Sequence, residues 1–84
     1  MYEVIVIYYT IYPNELIPSF SPYLLYKGRS LSEAEASYYE AQATLERNGC
    51  DEIFSADNGS FSNFRKESDY RIDKDHFAHI SLKK

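Results

Sequence analysis

Residues 27–49 read KGRSLSEAEASYYEAQATLERNG, and this stretch decides the fold because its local signals all specify one helix. Ser30 stands at the N-cap position, and Glu33 three residues on completes a capping box in which each residue satisfies an orphan backbone N–H of the other. Ser32 with Glu35 offers a second register for the same motif. Leu31, Ala34, Tyr38, Ala41 and Leu45 recur at intervals of three and four, which gathers them on one stripe. Asn48-Gly49 ends the helix, since glycine takes the left-handed C′ conformation without a Cβ clash. The reading is a helix from about Ser30 to Asn48 that packs on a second layer through this stripe, most closely at Ala34 and Ala41.

Upstream of the helix, Tyr2 to Tyr12 is rich in β-branched and aromatic residues and reads as a long strand. One face would carry Tyr2, Val4, Val6, Tyr8 and Tyr12, the other Ile5, Ile7, Tyr9 and Ile11. Neither face is polar, so the strand is expected inside the sheet. Pro13-Asn14 breaks it, and Pro18 and Pro22 punctuate an apolar connection containing Leu16, Ile17 and Phe20, which either caps the core or binds something. Tyr23 to Lys27 then forms a short strand antiparallel to the first.

Downstream, Cys50 to Ala56 reads as a third strand with Ile53 and Phe54 as its apolar content, and Asp57-Asn58-Gly59 as a tight turn. Ser60 to Phe64 would return as a fourth strand. Arg65 to Asp75, RKESDYRIDKD, is charged and aperiodic and reads as a loop or hairpin arm. In His76 to Leu82 the residues Ala78, Ile80 and Leu82 alternate with Phe77, His79 and Ser81, the pattern of a final strand. The order β-β-α-β-β-β specifies an α+β fold over residues 1–84, a single domain in which one helix covers a mostly antiparallel sheet of four to five strands, a two-layer sandwich.

Composition agrees with a folded globule: 44% of the 84 residues are hydrophobic, with only three glycines and three prolines. The one cysteine, Cys50, cannot form an internal disulfide, which favours a reducing, cytoplasmic setting. No apolar run approaches the roughly 20 residues of a membrane span, and no basic segment precedes the apolar start, so no membrane association is expected.

Charge is unevenly distributed within a net of -4. Residues 30–59 hold Glu33, Glu35, Glu40, Glu46, Asp51, Glu52 and Asp57 against Arg47 alone, whereas residues 60–84 hold six bases against four acids. The acidic part repels nucleic-acid phosphate and attracts basic partners.

Motifs for catalysis or metal binding are weak. His76 and His79 with Asp73 and Asp75 have metal-like composition, but on a strand the two histidines point to opposite faces. ADNGS puts Phe54 and Ala56 where a calcium loop needs carboxylates, and the isolated glycines build no phosphate-cradling loop. Cys50 follows the negative end of the helix, which does not activate a nucleophile, and no serine sits in a nucleophile elbow. The expectation is a protein that is not an enzyme and takes no cofactor or metal.

Tyrosine departs most from an ordinary small domain, with nine residues and no tryptophan. A core this small cannot hold nine and find each hydroxyl a partner, so several reach the surface. Exposed tyrosine beside acidic groups is the composition of a protein-binding surface, here Glu33, Tyr39, Glu40, Glu46 and Asp51. In size, charge and composition, though in no motif, the chain is similar to phage-encoded inhibitors of bacterial defence such as anti-CRISPR proteins. That resemblance implies a small inhibitor that covers a basic, nucleic-acid-binding surface of its target. Two alternatives compete with it. The basic C-terminal third (Arg65, Lys66, Arg71, Lys74, Lys83, Lys84) could bind nucleic acid with Phe61, Phe64 and Tyr70 as stacking platforms, although interleaved acids oppose this. A homodimer could bury the first strand and the tyrosines.

Overall fold

The helix forms where its signals place it. In a computed structural model, which describes residues 1–11, 19–58 and 65–84, α1 spans Leu31–Arg47 with Ser30 as N-cap. The Glu33 amide donates to Ser30 Oγ at 3.2 Å, the expected half of the capping box. Its reciprocal half is relayed. The Ser30 amide donates to the Tyr26 hydroxyl at 3.2 Å, and that hydroxyl donates to Glu33 Oε2 at 3.2 Å, so a tyrosine from the preceding strand stands between cap and glutamate. At the other end Gly49 has φ 81°, its amide reaches the Glu46 carbonyl and the Cys50 amide the Leu45 carbonyl, each at 3.0 Å. This is the paired closure of a Schellman motif. Cys50 thereby leaves the strand assigned to it and becomes a buried residue beside Leu45 in the core cluster.

Five strands form one antiparallel sheet: β1 (Tyr2–Thr10), β2 (Ser19–Gly28), β3 (Asp51–Asn58), β4 (Arg65–Arg71) and β5 (His76–Lys83), in the order β2-β1-β5-β4-β3. The fold is thus the small α+β sandwich expected, with β1 inside the sheet between β2 and β5. Val4 pairs with Leu82 and Val6 with Ile80. These four residues, with Ala78 and Tyr70, meet Ala34, Tyr38 and Leu45 of α1 in the core, and Ala41 packs partly buried against it.

Three assignments change. β2 begins at Ser19, so Ser19 to Pro22, read as part of a connection, is strand opposite Thr10 to Ile7. Proline signalled a break there, but β2 is an edge strand, where a missing N–H is tolerated. β3 runs on through Asn58, taking in Asp57 and Asn58, which were assigned to a tight turn. Most consequentially, the charged run assigned to a loop or hairpin arm contains β4, an inner strand between β5 and β3. Its inward residues include Ser68 and Tyr70, both fully buried, and a period-two pattern built on polar side chains does not register as hydrophobic alternation. Pro13, Asn14, Leu16, Ile17 and Pro18, together with Tyr12, Gly59 and the assigned strand Ser60 to Phe64, lie outside the described residues.

Candidate functional site

Both flanks of α1 carry acidic side chains, and the sheet beneath decides what each can do. On the flank above β3 and β4, Lys66 reaches up from β4 to donate to the Tyr39 hydroxyl and lies 4.8 Å from that ring's centroid. Glu35 and Asp57 stand 3.7 Å and 3.8 Å from the same ammonium. The Tyr39 hydrogen bond is the main cause holding the Lys66 ammonium above its ordinary pKa, with partial desolvation opposing and the neighbouring charges assisting. Nearby, the Tyr70 hydroxyl donates to Glu46 Oε1 at 3.1 Å. Burial, and then Glu46, push the Tyr70 phenol far above its usual range. Beneath the helix, Tyr38 and Ser68 share a hydrogen bond of 2.9 Å, and Gln42 Nε2 donates to Ser68 Oγ at 3.1 Å. A buried strand residue that would otherwise lack a partner is satisfied by the helix.

The flank above β1 and β2 holds Glu33, Ser37, Glu40 and Thr44, spaced as one helical row. Glu33 accepts from Tyr26 of β2, and Glu40 lines an open groove with Val6 of β1 and Leu25 of β2. The five residues expected to bind a partner therefore do not form one patch. Glu33 and Glu40 stand on this flank, Tyr39 and Glu46 on the other. Asp51 pairs in register with Arg71, on the sheet face turned away from the helix. Tyr39 is exposed, as expected, but its hydroxyl already serves Lys66. Glu35, Glu52, Asp57 and Lys66 complete the acidic flank. Sequence reasoning grouped Lys66 with the bases of the C-terminal third and missed its place on this flank, because β4 was not recognised as a strand that passes under the helix.

On the face away from the helix, His79 Nδ1 lies 2.8 Å from Asp69 Oδ1, and the Tyr9 hydroxyl approaches the same oxygen at 3.5 Å. Burial, then the Asp69 charge, raise the Tyr9 pKa. His76 instead pairs with Asp73 at 2.7 Å, and its register opposite Thr10, with His79 opposite Ile7, puts the two histidines on opposite faces. Among the described residues no three His, Cys, Asp or Glu side chains converge as metal ligands. Of the C-terminal bases, Arg65 pairs with Glu67 at 2.7 Å and Arg71 lies 5.6 Å from the Phe77 ring centroid. No described helix is long and apolar enough to cross a membrane. Compared with known proteins, the chain matches no family model, no curated protein and no solved structure.

Proposed function

We propose that this chain is a small, non-enzymatic protein-binding module that engages a basic surface of another protein through its helix face, as an inhibitor covering a nucleic-acid-binding groove would. One observation carries the reading, the segregation of charge between the two faces of the sheet. The helix face gathers Glu33, Glu35, Glu40, Glu46, Glu52 and Asp57, and among the described residues the sheet-side bases on that face are engaged, Lys66 by Glu35 and Asp57 and Lys84 by the Tyr2 ring. The opposite face intersperses Glu3, Glu67 and Asp69 with Lys27, Arg65 and Arg71, pairing Lys27 with Glu3 and Arg65 with Glu67. Tyr39, 48% exposed, supplies an aromatic anchor on the acidic side.

The test is capture from a lysate of the native host with the immobilised chain, comparing the parent with a Glu40→Lys, Glu52→Lys double variant. Glu46 is unsuited to charge reversal because it accepts the Tyr70 hydroxyl. A basic protein retained by the parent, released as salt rises and lost from the variant supports the reading. Equal retention by both chains, or retention of free nucleic acid at physiological salt, overturns it.

A second reading, a homodimer closed through the opposite face, is favoured by the exposure of Phe20 and Leu24, 62% and 59%, on that side. Sedimentation at micromolar concentration separates the two, because Leu24→Lys dissociates such a dimer and leaves the helix face intact.

A further inference from the structure

The two flanks of α1 differ in bulk as well as in partners. Towards β4 the helix presents Tyr38, Tyr39 and Gln42, whose polar ends reach Ser68 and Lys66 and leave a smaller, mostly polar cavity of about 210 Å³. Towards β2 it presents Ser37, Ala41 and Thr44, which are smaller and leave a gap. β2 adds to the gap, since its register against β1 shifts between Val4 and Ile5 and leaves Leu25 as an extra residue without a Cα partner. The result is a groove of about 350 Å³ between helix and sheet edge. Its apolar walls come from Val6, Leu25, Ala41 and Leu45, and Ser37 and Glu40 stand among its lining residues. Val6 and Leu45 are nearly buried, whereas Leu25 remains 43% exposed, so apolar surface is left for an occupant to cover.

Polar satisfaction separates Glu40 from the other acids carried by α1. Glu33, Glu35 and Glu46 each have a side-chain partner within the fold. The Glu40 carboxylate and the Ser37 hydroxyl have none among the described residues. Thr44, on the same row, is occupied, donating to the Glu40 carbonyl at 2.9 Å and accepting from Arg47 at 3.2 Å.

We infer that this groove is a subsite for an alkylammonium, and that its occupant is a lysine side chain of the basic partner, methylenes along Val6, Leu25, Ala41 and Leu45 and ammonium on Glu40. The inference rests on the reading that the partner is a basic protein, and it specifies one contact of that complex. A methylene stem matches aliphatic walls, and long cationic side chains bury their stems while keeping the charge at a wet rim. A guanidinium would carry its charge on an apolar stem one methylene shorter and so cover less of these walls. An anion of the same length meets Glu40 as a like charge.

The experiment needs no partner. The uniformly ¹⁵N-labelled full chain is titrated with n-pentylammonium, n-pentanol and pentanoate, three probes with the same five-carbon chain, and amide shifts are followed. Pentylammonium is expected to shift the amides of Val6, Leu25, Ala41 and Leu45 and to bind roughly two- to fivefold more tightly than pentanol, the range of an exposed ion pair. Pentanoate is expected to leave them unmoved. Glu40→Gln brings pentylammonium down to the pentanol affinity without altering pentanol, and Ser37→Leu, which fills the groove from the helix side, removes both. Equal affinity for ammonium and alcohol, an unaffected Glu40→Gln variant, or shifts elsewhere in the molecule overturn the inference. The outcome is independent of lysate capture: a groove that ignores pentylammonium in a chain that still retains a basic protein defeats this subsite alone. A groove that takes the probe in a chain that captures nothing leaves the alkylammonium subsite standing and defeats the partner reading, and with it the lysine occupant.

Discussion

The two faces of the sheet are made by the same five strands, yet they are stabilised differently. Under the helix, Val4, Ala78, Ile80 and Leu82 are wholly shut off from water, and the polar groups among them, Ser68 and the Tyr70 hydroxyl, are satisfied by α1. The far face has no second layer among the described residues and relies on rows of contacts running across strands. In one row Tyr9 stacks on Phe77 with centroids 5.2 Å apart, Phe20 tilts against the other side of Tyr9 at 6.2 Å, and Arg71 covers Phe77. The neighbouring row sets His79 against Asp69. Exclusion of water supports the first face; cross-strand pairing, individually modest, supports the second.

A matched pair of deletions measures the difference. Ile80→Ala opens a cavity beneath the helix and should cost about 2–5 kcal/mol. Ile7→Ala, one residue along from Ile80's β1 partner Val6 and on the far face, should cost less, about 1–2 kcal/mol, because Ile7 is only partly buried. Urea midpoints at constant slope report both. Equal losses would mean that the far face is as buried as the near one in solution, which is the homodimer's signature.

The buried polar groups sharpen the contrast next. Ser68→Ala leaves the Tyr38 hydroxyl and the Gln42 amide without their shared partner and should cost about 1–3 kcal/mol, more than a methyl-sized change on the far face. Tyr70→Phe keeps the volume and loses one hydrogen bond to Glu46, about 1 kcal/mol. The same residue predicts behaviour in alkali. The folded-state pKa values of Tyr38 and Tyr70 lie above the usual tyrosine value, burial being the first cause in each. Their contribution is therefore complete below about pH 10 and is lost as pH rises towards the folded values. Stability should fall above pH 10, less steeply in Tyr70→Phe than in the parent. A parallel fall would place the alkaline transition elsewhere.

How much of this was legible in the sequence follows from which signals are local. The helix, its stripe, its cap and its glycine stop depend on residues within a turn of one another, and Ala34, Tyr38, Ala41 and Leu45 face the sheet as their spacing requires. The final strand was equally plain, because Ala78, Ile80 and Leu82 alternate cleanly. β1 was legible as a strand but not in orientation, since both faces are apolar and only the placement of the helix distinguishes Val4 and Val6 from Ile5 and Ile7. β4 was illegible because its buried residues are a serine and a tyrosine whose partners lie 24 or more residues away. The candidate site inherits that gap: acidity was read from composition, but which acids are free and which are held by Tyr26, Lys66 or Tyr70 depends on long-range pairing.

A smaller effect tests the relay that ties the helix to β2. Tyr26 reaches the Ser30 amide because Gly28 presents no side chain; a Cβ there would collide with the Tyr26 hydroxyl and ring. The ring can swing away, so Gly28→Ala should not disrupt the sheet, but it should break the relay and cost about 0.5–2 kcal/mol, as loss of a cap does. Tyr26→Phe should reproduce most of that loss with no steric change, and the two substitutions together should be less than additive. Full additivity would show that Gly28 matters for the strand and not for the helix start.

The smallest expected effect lies at the turn joining β4 to β5, whose register sets both faces at once. Asp73 Oδ1 accepts from the amides of Asp75 at 2.9 Å and His76 at 3.0 Å and meets His76 Nδ1 at 2.7 Å. The His76 contact, followed by the Asp75 amide, holds the Asp73 carboxyl below its ordinary range. A depressed carboxyl stabilises the fold above its unfolded pKa, about 4, and that contribution is lost as pH falls through the lower folded value. The turn is exposed, so the consequence is local. Below pH 4 hydrogen exchange at the Asp75 and His76 amides, corrected for the intrinsic pH dependence of exchange, should accelerate, while the amides of Ile80 and Leu82 keep their protection. Asp73→Asn should show the faster exchange already at pH 7, because a neutral amide oxygen is the weaker acceptor. If acid instead released Ile80 and Leu82 together with the turn, the β4–β5 register would depend on this one carboxylate, and the independence assigned to the helix-covered face would fail.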